Sequence, residues 1–298
     1  MKRKKYGFTI LEILTVMVVI AILIGVLIPA LTMVHTIAKE TQQRAQFMEI
    51  NLALEAFKGD YGDYPPSSWN DPDEIAPPEM DYCGGQKLAE ALVGMDLLGF
   101  NPDTDWQADG ETVSGSNLYF INVAFDPMSD SDVAELKKRR GPYLESLERV
   151  FRLDGRYAYY DPLEPETYVI CDVYTVKKVR LADGSIVKAG TPILYYRADT
   201  SKKTIEDPAS VYDRIYTVSD NLPLINLKWE EDKINNPSKD RPPLMNLSGT
   251  FSFFYSEYIR DPKVTAMDWP YRPDSYILIS AGKDGEYGTD DDICNFGD

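Results

Sequence analysis

The stretch that decides the fold is MKRKKYGFTILEILTVMVVIAILIGVLIPAL, residues 1–31. Four basic residues, Lys2 to Lys5, precede Gly7 and Phe8. A single acid, Glu12, follows four residues after Phe8, and the chain is then apolar to Leu31. Ile13 to Leu31 gives 19 residues without a charge, enough to cross the ~30 Å hydrocarbon core of a bilayer at ~1.5 Å per residue. A secretory signal has a shorter apolar region closed by small residues, with its cleavage site after that region. Here the cut expected from the sequence lies before it, after Gly7, which leaves the hydrophobic helix on the mature protein. Lys2, Arg3, Lys4 and Lys5 stay in the cytoplasm by the positive-inside rule, so everything after His35 lies across the membrane.

Glu12 needs a reason in this setting, because a carboxylate in a lipid-embedded helix costs about 2.5–3.5 kcal/mol at the bilayer centre. Two readings stand. One places it among the lipid headgroups, where it costs little; the other keeps it for a cationic partner, such as the free α-amino group of Phe8 on a neighbouring chain. Pro29 lies inside the apolar run with Gly25 one turn before it. Proline removes a backbone hydrogen bond and crowds the preceding turn, which predicts a bend or local melting near Gly25–Pro29.

Together, Gly7-Phe8-Thr9-Ile10-Leu11-Glu12 and the uncharged helix after it resemble the N-terminus of type IV prepilins and type II secretion pseudopilins. The resemblance covers about the first tenth of the chain. It implies a leader, residues 1–7, removed by a prepilin peptidase, with N-methylation of Phe8. It gives Glu12 a role in docking subunits within a helical homopolymer, and makes the Pro29 region a weak point that lets the helix stretch on assembly. It further implies residence in the bacterial inner membrane, minor pseudopilins and an inner-membrane secretion platform as partners, and a periplasmic filament as the product.

The helical pattern continues past the membrane. Residues 35–58 contain no Pro or Gly. Ile37, Thr41, Ala45, Met48 and Leu52 recur every three or four residues, and Phe47, Ile50, Leu54 and Phe57 form a second line that broadens the stripe. One helix from about Thr9 to Lys58, ~75 Å long, is expected: a membrane and assembly segment over 8–34, then an amphipathic half over 35–58, ended by Gly59. Residues 59–298 follow as the extracytoplasmic globular part.

Helical segments are expected at Gln86–Leu98 and Asp132–Val150, the latter broken at Gly141-Pro142. Strands are expected at Leu118–Ala124, Arg156–Tyr160, Tyr168–Leu181, Ile186–Lys188, Ile193–Ala198, Thr250–Tyr258 and Ser275–Ser280. Ala182-Asp183-Gly184-Ser185 reads as a hairpin turn. The fold class is α+β, an antiparallel sheet packed on the long helix, which is the architecture of the pilin fold. Relative to the major pseudopilins it resembles, the chain is about twice as long, with the extra residues expected in 60–155 and between Ser201 and Gly249.

The second segment with chemical content is Ser280-Ala281-Gly282-Lys283-Asp284-Gly285-Glu286-Tyr287-Gly288-Thr289-Asp290-Asp291-Asp292-Ile293. Its four aspartates repel one another unless solvated or neutralised, and its glycines let carbonyl oxygens turn inward. Such a loop can supply the six to eight oxygens that Ca²⁺ takes; it can equally be a soluble acidic turn. The spacing is not that of an EF-hand. The segment is similar to the C-terminal calcium loop of type II secretion major pseudopilins. That resemblance places ligands at Asp284, Asp290 and Asp292, with Asp291 an alternative within the triple Asp, and carbonyls near Ile279–Gly282 and Tyr287 completing the shell.

Composition bounds the other function classes. The formal net charge is −17 and becomes −21 once residues 1–7 are removed, which disfavours binding to a phosphate backbone. The sole histidine, His35, lies beside the membrane, so no histidine-dependent triad exists in the globular part. No nucleophile elbow, P-loop or dinucleotide fingerprint occurs, and the expectation is a protein that is not an enzyme. Cys83, Cys171 and Cys294 allow at most one intrachain disulfide and match no zinc pattern. The function expected is a structural subunit of a type II secretion pseudopilus; the alternatives are a type IV pilus or competence pilin, and an anchored surface-binding protein that never polymerises.

Overall fold

A computed structural model describes residues 9–68, 82–112, 114–121, 125–153, 167–175, 177–180, 185–205, 214–227, 236, 238, 243–245 and 253–297. The chain divides into two units, residues 1–42 and 43–298. Helix α1 spans Ile10–Tyr61 and belongs to both.

In the first unit α1 is an apolar helix with no packing partner among the described residues. Every residue from 10 to 38 is exposed, although its most apolar window has a mean hydropathy of 3.0. A helix that is hydrophobic all round is stable only when something apolar surrounds it, and its length and composition suit a membrane span. The local melting expected at Gly25–Pro29 is absent, because the helix runs through both residues without a break. Proline deletes only one N–H from the ladder, and the turns on either side hold the frame. Here the Thr32 hydroxyl donates to the Pro29 carbonyl at 2.8 Å.

Gly59 does not end the helix. α1 continues to Tyr61, and Gly62, at φ +87°, supplies the left-handed residue and donates its N–H to the Lys58 carbonyl at 2.7 Å. This is the glycine C-terminal cap, displaced three residues from the expected position.

The two apolar lines on α1 also part company. Phe47, Ile50, Leu54 and Phe57 are buried in the second unit. The line Ile37, Thr41, Ala45, Met48, Leu52, expected to share that burial, is exposed, with Met48 at 70% and Leu52 at 74%. The polar Gln43 and Gln46 take the buried positions beside the aromatic line.

The second unit is built on a three-stranded antiparallel sheet, order β5–β6–β7. β5 is Leu194–Arg197, β6 is Tyr276–Ser280 and β7 is Ile293–Cys294. β6 is central, pairing Leu194 with Ile279, Tyr196 with Ile277, and Ile279 with Cys294. Alternation along the strands feeds two cores. Tyr195, Tyr276, Leu278 and Ile293 pack with Phe47, Ile50 and Leu54 of α1; Leu194, Tyr196, Ile277 and Ile279 face a second cluster that includes Phe254 and Tyr287. The sheet is therefore covered on both faces, and all five residues of β6 are buried.

α2, Gly84–Val93, is buried along its whole length. Gly84 and Gly85 permit this. A Cβ on Gly84 would lie 2.3 Å from the Tyr195 carbonyl oxygen, and one on Gly85 would lie 2.9 Å from that of Ile193. Gly94, at φ +81°, ends α2 earlier than the expected Leu98. α3, Asp130–Lys138, starts from a Ser129 cap and stops before Arg139, so the expected second half towards Val150 is not helical.

Two further antiparallel pairs are present. β1, Val150–Arg152, pairs with β2, Tyr168–Ile170. β3, Lys177–Arg180, pairs with β4, Ile186–Ala189. The single strand expected over Tyr168–Leu181 is thus two strands. They are separated by a turn in which Asp172 accepts the N–H of Tyr174 at 3.0 Å and Thr175 has φ +49°.

Thr250–Tyr258, expected as a strand, instead places Phe254–Tyr258 in one π-helical turn. Its aromatic content reads as strand, but the backbone closes on itself here, with the Ile259 N–H donating to the Phe254 carbonyl at 3.0 Å, and Phe254 and Tyr255 are buried from this turn. Leu118 and Tyr119 are likewise both buried, and Leu118–Ile121 has no strand. Arg156–Tyr160, the turn Ala182–Gly184 and most of 201–249 lie outside the described residues. No disulfide joins the cysteines: Cys83 and Cys171 are buried thiols and Cys294 is half-buried. These elements make the α+β arrangement expected, a long helix with small antiparallel sheets.

Candidate functional site

Gly7 and Phe8 lie outside the described residues, and the N-terminal site begins at Thr9. Glu12 Oε2 accepts both the Thr9 backbone N–H and the Thr9 hydroxyl at 2.8 Å, while the Glu12 N–H donates to Thr9 Oγ1 at 3.2 Å. This reciprocal pattern is a capping box, and it fixes the Glu12 carboxylate at the start of α1, where the helix dipole favours a negative charge. Thr9 escaped the sequence reading, although the Thr-x-x-Glu spacing carries the signal.

The C-terminal loop between β6 and β7 is organised by Asp291. Its Oδ2 accepts the N–H groups of Lys283 at 2.7 Å and Asp284 at 3.0 Å, and its Oδ1 accepts the Thr289 hydroxyl at 2.8 Å. Gly282, at φ +62°, lets the chain cross it closely, since a Cβ there would lie 2.1 Å from the Asp291 carbonyl oxygen. Asp284 accepts the Glu286 N–H at 2.7 Å, and its carboxyl group stands against that of Asp291. Asp292 turns inward: its Oδ2 accepts the Gly288 N–H at 2.7 Å and the Tyr258 hydroxyl, and its Oδ1 is buried with no hydrogen bond. Asp290 is exposed. Tyr258 was invisible as a partner in the sequence, being 34 residues from Asp292.

Charge follows this geometry. Burial pushes Asp292 up to about 7, and the carboxylates of Asp284 and Asp291 push the same way. Asp284 is raised by partial burial and by Asp291 beside it. Partial burial opposes the charge on Asp291 too, but the Thr289 hydroxyl and the N–H groups of Asp284 and Lys283 outweigh it, and Asp291 sits below the usual carboxylate range.

Of the four candidate ligands, Asp284 and Asp291 are brought together, Asp292 lies close enough to feel both, and Asp290 faces water. Among the described residues, no three Asp, Glu, His or Cys side chains are grouped as a metal-holding set. The chemistry of the loop still fits a hard cation: every donor is oxygen, two carboxyl groups repel at contact, and one buried carboxylate oxygen lacks a hydrogen bond.

Residues 2–28 match the family model described as the prokaryotic N-terminal methylation motif. The chain has the amino terminus of a type IV pilin-like protein. No curated protein and no solved structure matches the chain. The pilin-like motif implies prepilin-peptidase processing and pilus-like assembly. The uninterrupted apolar helix from Ile10 is consistent with the single-pass anchor of such a protein.

Proposed function

We propose that this pilin-like chain is a structural subunit of a type II secretion pseudopilus, polymerised through α1 to drive protein export. The observation that carries the polymer reading is the exposed line Ile37, Ala45, Met48 and Leu52. A helix already packed on one face by its own globular unit has no need of a second apolar stripe at three- and four-residue spacing, unless another helix covers it. The apolar residues of 10–34 belong to the same argument, serving first the bilayer and then neighbouring subunits.

Glu12 is the docking group in this reading. Both of its capping bonds fall on Oε2, and we assign the other carboxylate oxygen to the methylated α-amino group of Phe8 on a neighbour. An ion pair in hydrocarbon is worth far more than one in water, which gives the pair its power to select register.

The secretion branch is favoured by the Asp284–Asp292 loop. Asp284, Asp291 and Asp292 would hold Ca²⁺, which would supply positive charge to a self-repelling loop and tie the chain terminus to β6. The pilus or competence reading is favoured by a different feature, the large size of the globular part, whose extra residues would form a display surface. The deciding experiment is deletion of the gene in its host, with secreted and surface proteins compared by mass spectrometry. Loss of exported proteins with intact surface pili supports the pseudopilus; loss of pili or DNA uptake with normal export overturns it. Complementation with Glu12→Ala then separates both from a non-polymerising anchored protein, for which Glu12 is dispensable.

A further inference from the structure

A cavity of about 540 Å³ lies where β5 ends, within the range of about 300–1,000 Å³ usual for small-molecule sites. Among the described residues its charged lining balances, Arg197 and Arg214 against Asp199 and Asp220, with hydroxyl groups such as those of Thr217 and Ser219 beside them. These groups are fixed from behind. Arg214 is 2% exposed and its guanidinium carbon stands 3.9 Å from the centre of the Tyr255 ring, while the Tyr255 hydroxyl accepts the Val218 N–H at 3.1 Å. Ser67 Oγ donates to Asp220 Oδ2 at 2.8 Å and accepts the Arg197 N–H at 3.0 Å. The Arg197 guanidinium donates to Asp63 at 2.6 Å, and Asp199 Oδ1 accepts both the N–H and the hydroxyl of Ser201. A lining held this way loses little further freedom when a ligand arrives. A second cavity, of about 480 Å³, shares Thr200 and Ile215 with the first and is walled by Met267, Trp269 and Pro273. Trp269 packs on the main core and is only half-buried.

The chemistry of the two cavities narrows the ligand. A phosphate-bearing molecule would meet the carboxylates of Asp199 and Asp220 as well as the guanidinium groups. An apolar one would take water from four charged side chains and return no hydrogen bond. A peptide strand is also disfavoured, although β5 is an edge strand and such edges can accept one. On its outer side the Arg197 N–H already donates to Ser67, and the Tyr195 carbonyl accepts the Asn221 side-chain amide at 2.7 Å. A sugar suits both cavities: its hydroxyls donate and accept, matching a balanced polar lining, and its ring has an apolar face that can lie on an indole. We propose that the two cavities form one site for a neutral saccharide, its hydroxyls held between Arg197, Arg214, Asp199 and Asp220 and a neighbouring ring laid on Trp269. The site lies within residues 43–298 and does not depend on polymerisation through α1.

The test is calorimetric titration of the full chain, solubilised in a detergent without a sugar headgroup, with maltotetraose, cellotetraose and chitotetraose. At least one of the three is expected to bind the wild type, and Trp269→Ala and Thr200→Leu are each expected to weaken that binding about ten-fold or more. Thr200 is exposed and lines both cavities, so Thr200→Leu narrows their junction without disturbing the core and is expected to melt with the wild type. That variant keeps the test decisive if Trp269→Ala fails to fold. No heat with any of the three sugars overturns the proposal, and so does equal affinity in the wild type and Thr200→Leu. Binding of tetragalacturonate with none of the neutral sugars overturns it as well, since the ligand would then be an anion.

Discussion

The side-chain oxygen of Gln43 accepts the backbone N–H of Val173 at 3.0 Å, in a buried contact spanning 130 residues of sequence. One turn along α1, the Gln46 side-chain amide donates to the Cys171 carbonyl at 2.9 Å. These two glutamines add side-chain bonds to the segment after β2, where the Cys171 and Asp172 N–H groups already donate to the Arg149 and Thr191 carbonyls at 2.7 and 2.8 Å. Replacing Gln43 by Ala removes this buried hydrogen bond, and the expected loss is about 1 kcal/mol. Thermal melting of the detergent-solubilised chain checks it. A loss below about 0.5 kcal/mol would mean that water or a shift of the turn replaces the bond.

Gly25 and Gly282 make a matched pair. A Cβ on Gly25 meets nothing within 4 Å, whereas one on Gly282 meets the Asp291 backbone at a position already at φ +62°. Gly25→Ala removes the glycine penalty inside a helix, roughly 0.5–1 kcal/mol, and is expected to leave folding intact or slightly improved. Gly282→Ala forces the loop away from Asp291 and is expected to make the C-terminal segment sensitive to limited proteolysis while the core sheet persists. Equal protease resistance in the two variants would refute the close approach.

Much of this was legible in the sequence. The long helix, strands β4 to β6 and the acidic loop all rest on local signals: apolar periodicity, alternation, and clustered glycine and aspartate. The errors have a common physical source. Phe47 and Ile37 belong to lines of equal apolar spacing, and only the globular unit decides which line is buried. Phe254 and Tyr255 read as strand because aromatic propensity is blind to the pocket they fill beside Tyr196. In the loop, composition identified the aspartates but not that Asp291 spends its oxygens on Lys283, Asp284 and Thr289. Nor could any pattern join Glu90 to Tyr82, Thr104 and Tyr119, which come from separate segments.

That last cluster predicts a pH effect. Glu90 is fully buried; its Oε1 accepts the hydroxyls of Thr104 at 2.7 Å and Tyr119 at 2.9 Å, and its Oε2 accepts that of Tyr82 at 2.5 Å. Burial raises its pKa above 4.5, although the three hydroxyls and Lys87 pull the other way. Below pH 4.5 both folded and unfolded chains hold the proton. As pH rises from there through the folded-state value, the unfolded chain releases it first, so this group's contribution to stability declines. Glu90→Gln keeps an oxygen for Thr104 and Tyr119 and presents an N–H₂ to Tyr82. The variant is expected to lose that decline in denaturant titrations between pH 4.5 and 7. A wild-type slope retained in the variant would assign it to another group.

Calcium is the remaining test, and it separates two accounts of the same loop. If hydrogen bonds to Asp291 alone hold Lys283, Asp284 and Thr289, chelation changes nothing. If Ca²⁺ joins Asp284, Asp291 and Asp292, binding only to the native state stabilises it by mass action, about 2.7 kcal/mol at a hundred-fold excess over Kd. We expect EDTA to lower the melting temperature of the full chain and added Ca²⁺ to restore it, with Mg²⁺ less effective because it demands a tighter octahedral shell. Asp291→Asn should abolish the calcium response and also lower stability in EDTA, since one of the oxygens bonded to Thr289 or to Lys283 and Asp284 becomes an N–H₂. Asp290→Asn, at an exposed position, should do neither if Asp290 is no ligand. No heat on calcium titration, with identical melts in EDTA and in Ca²⁺, would leave Asp291 as the sole organiser of the loop.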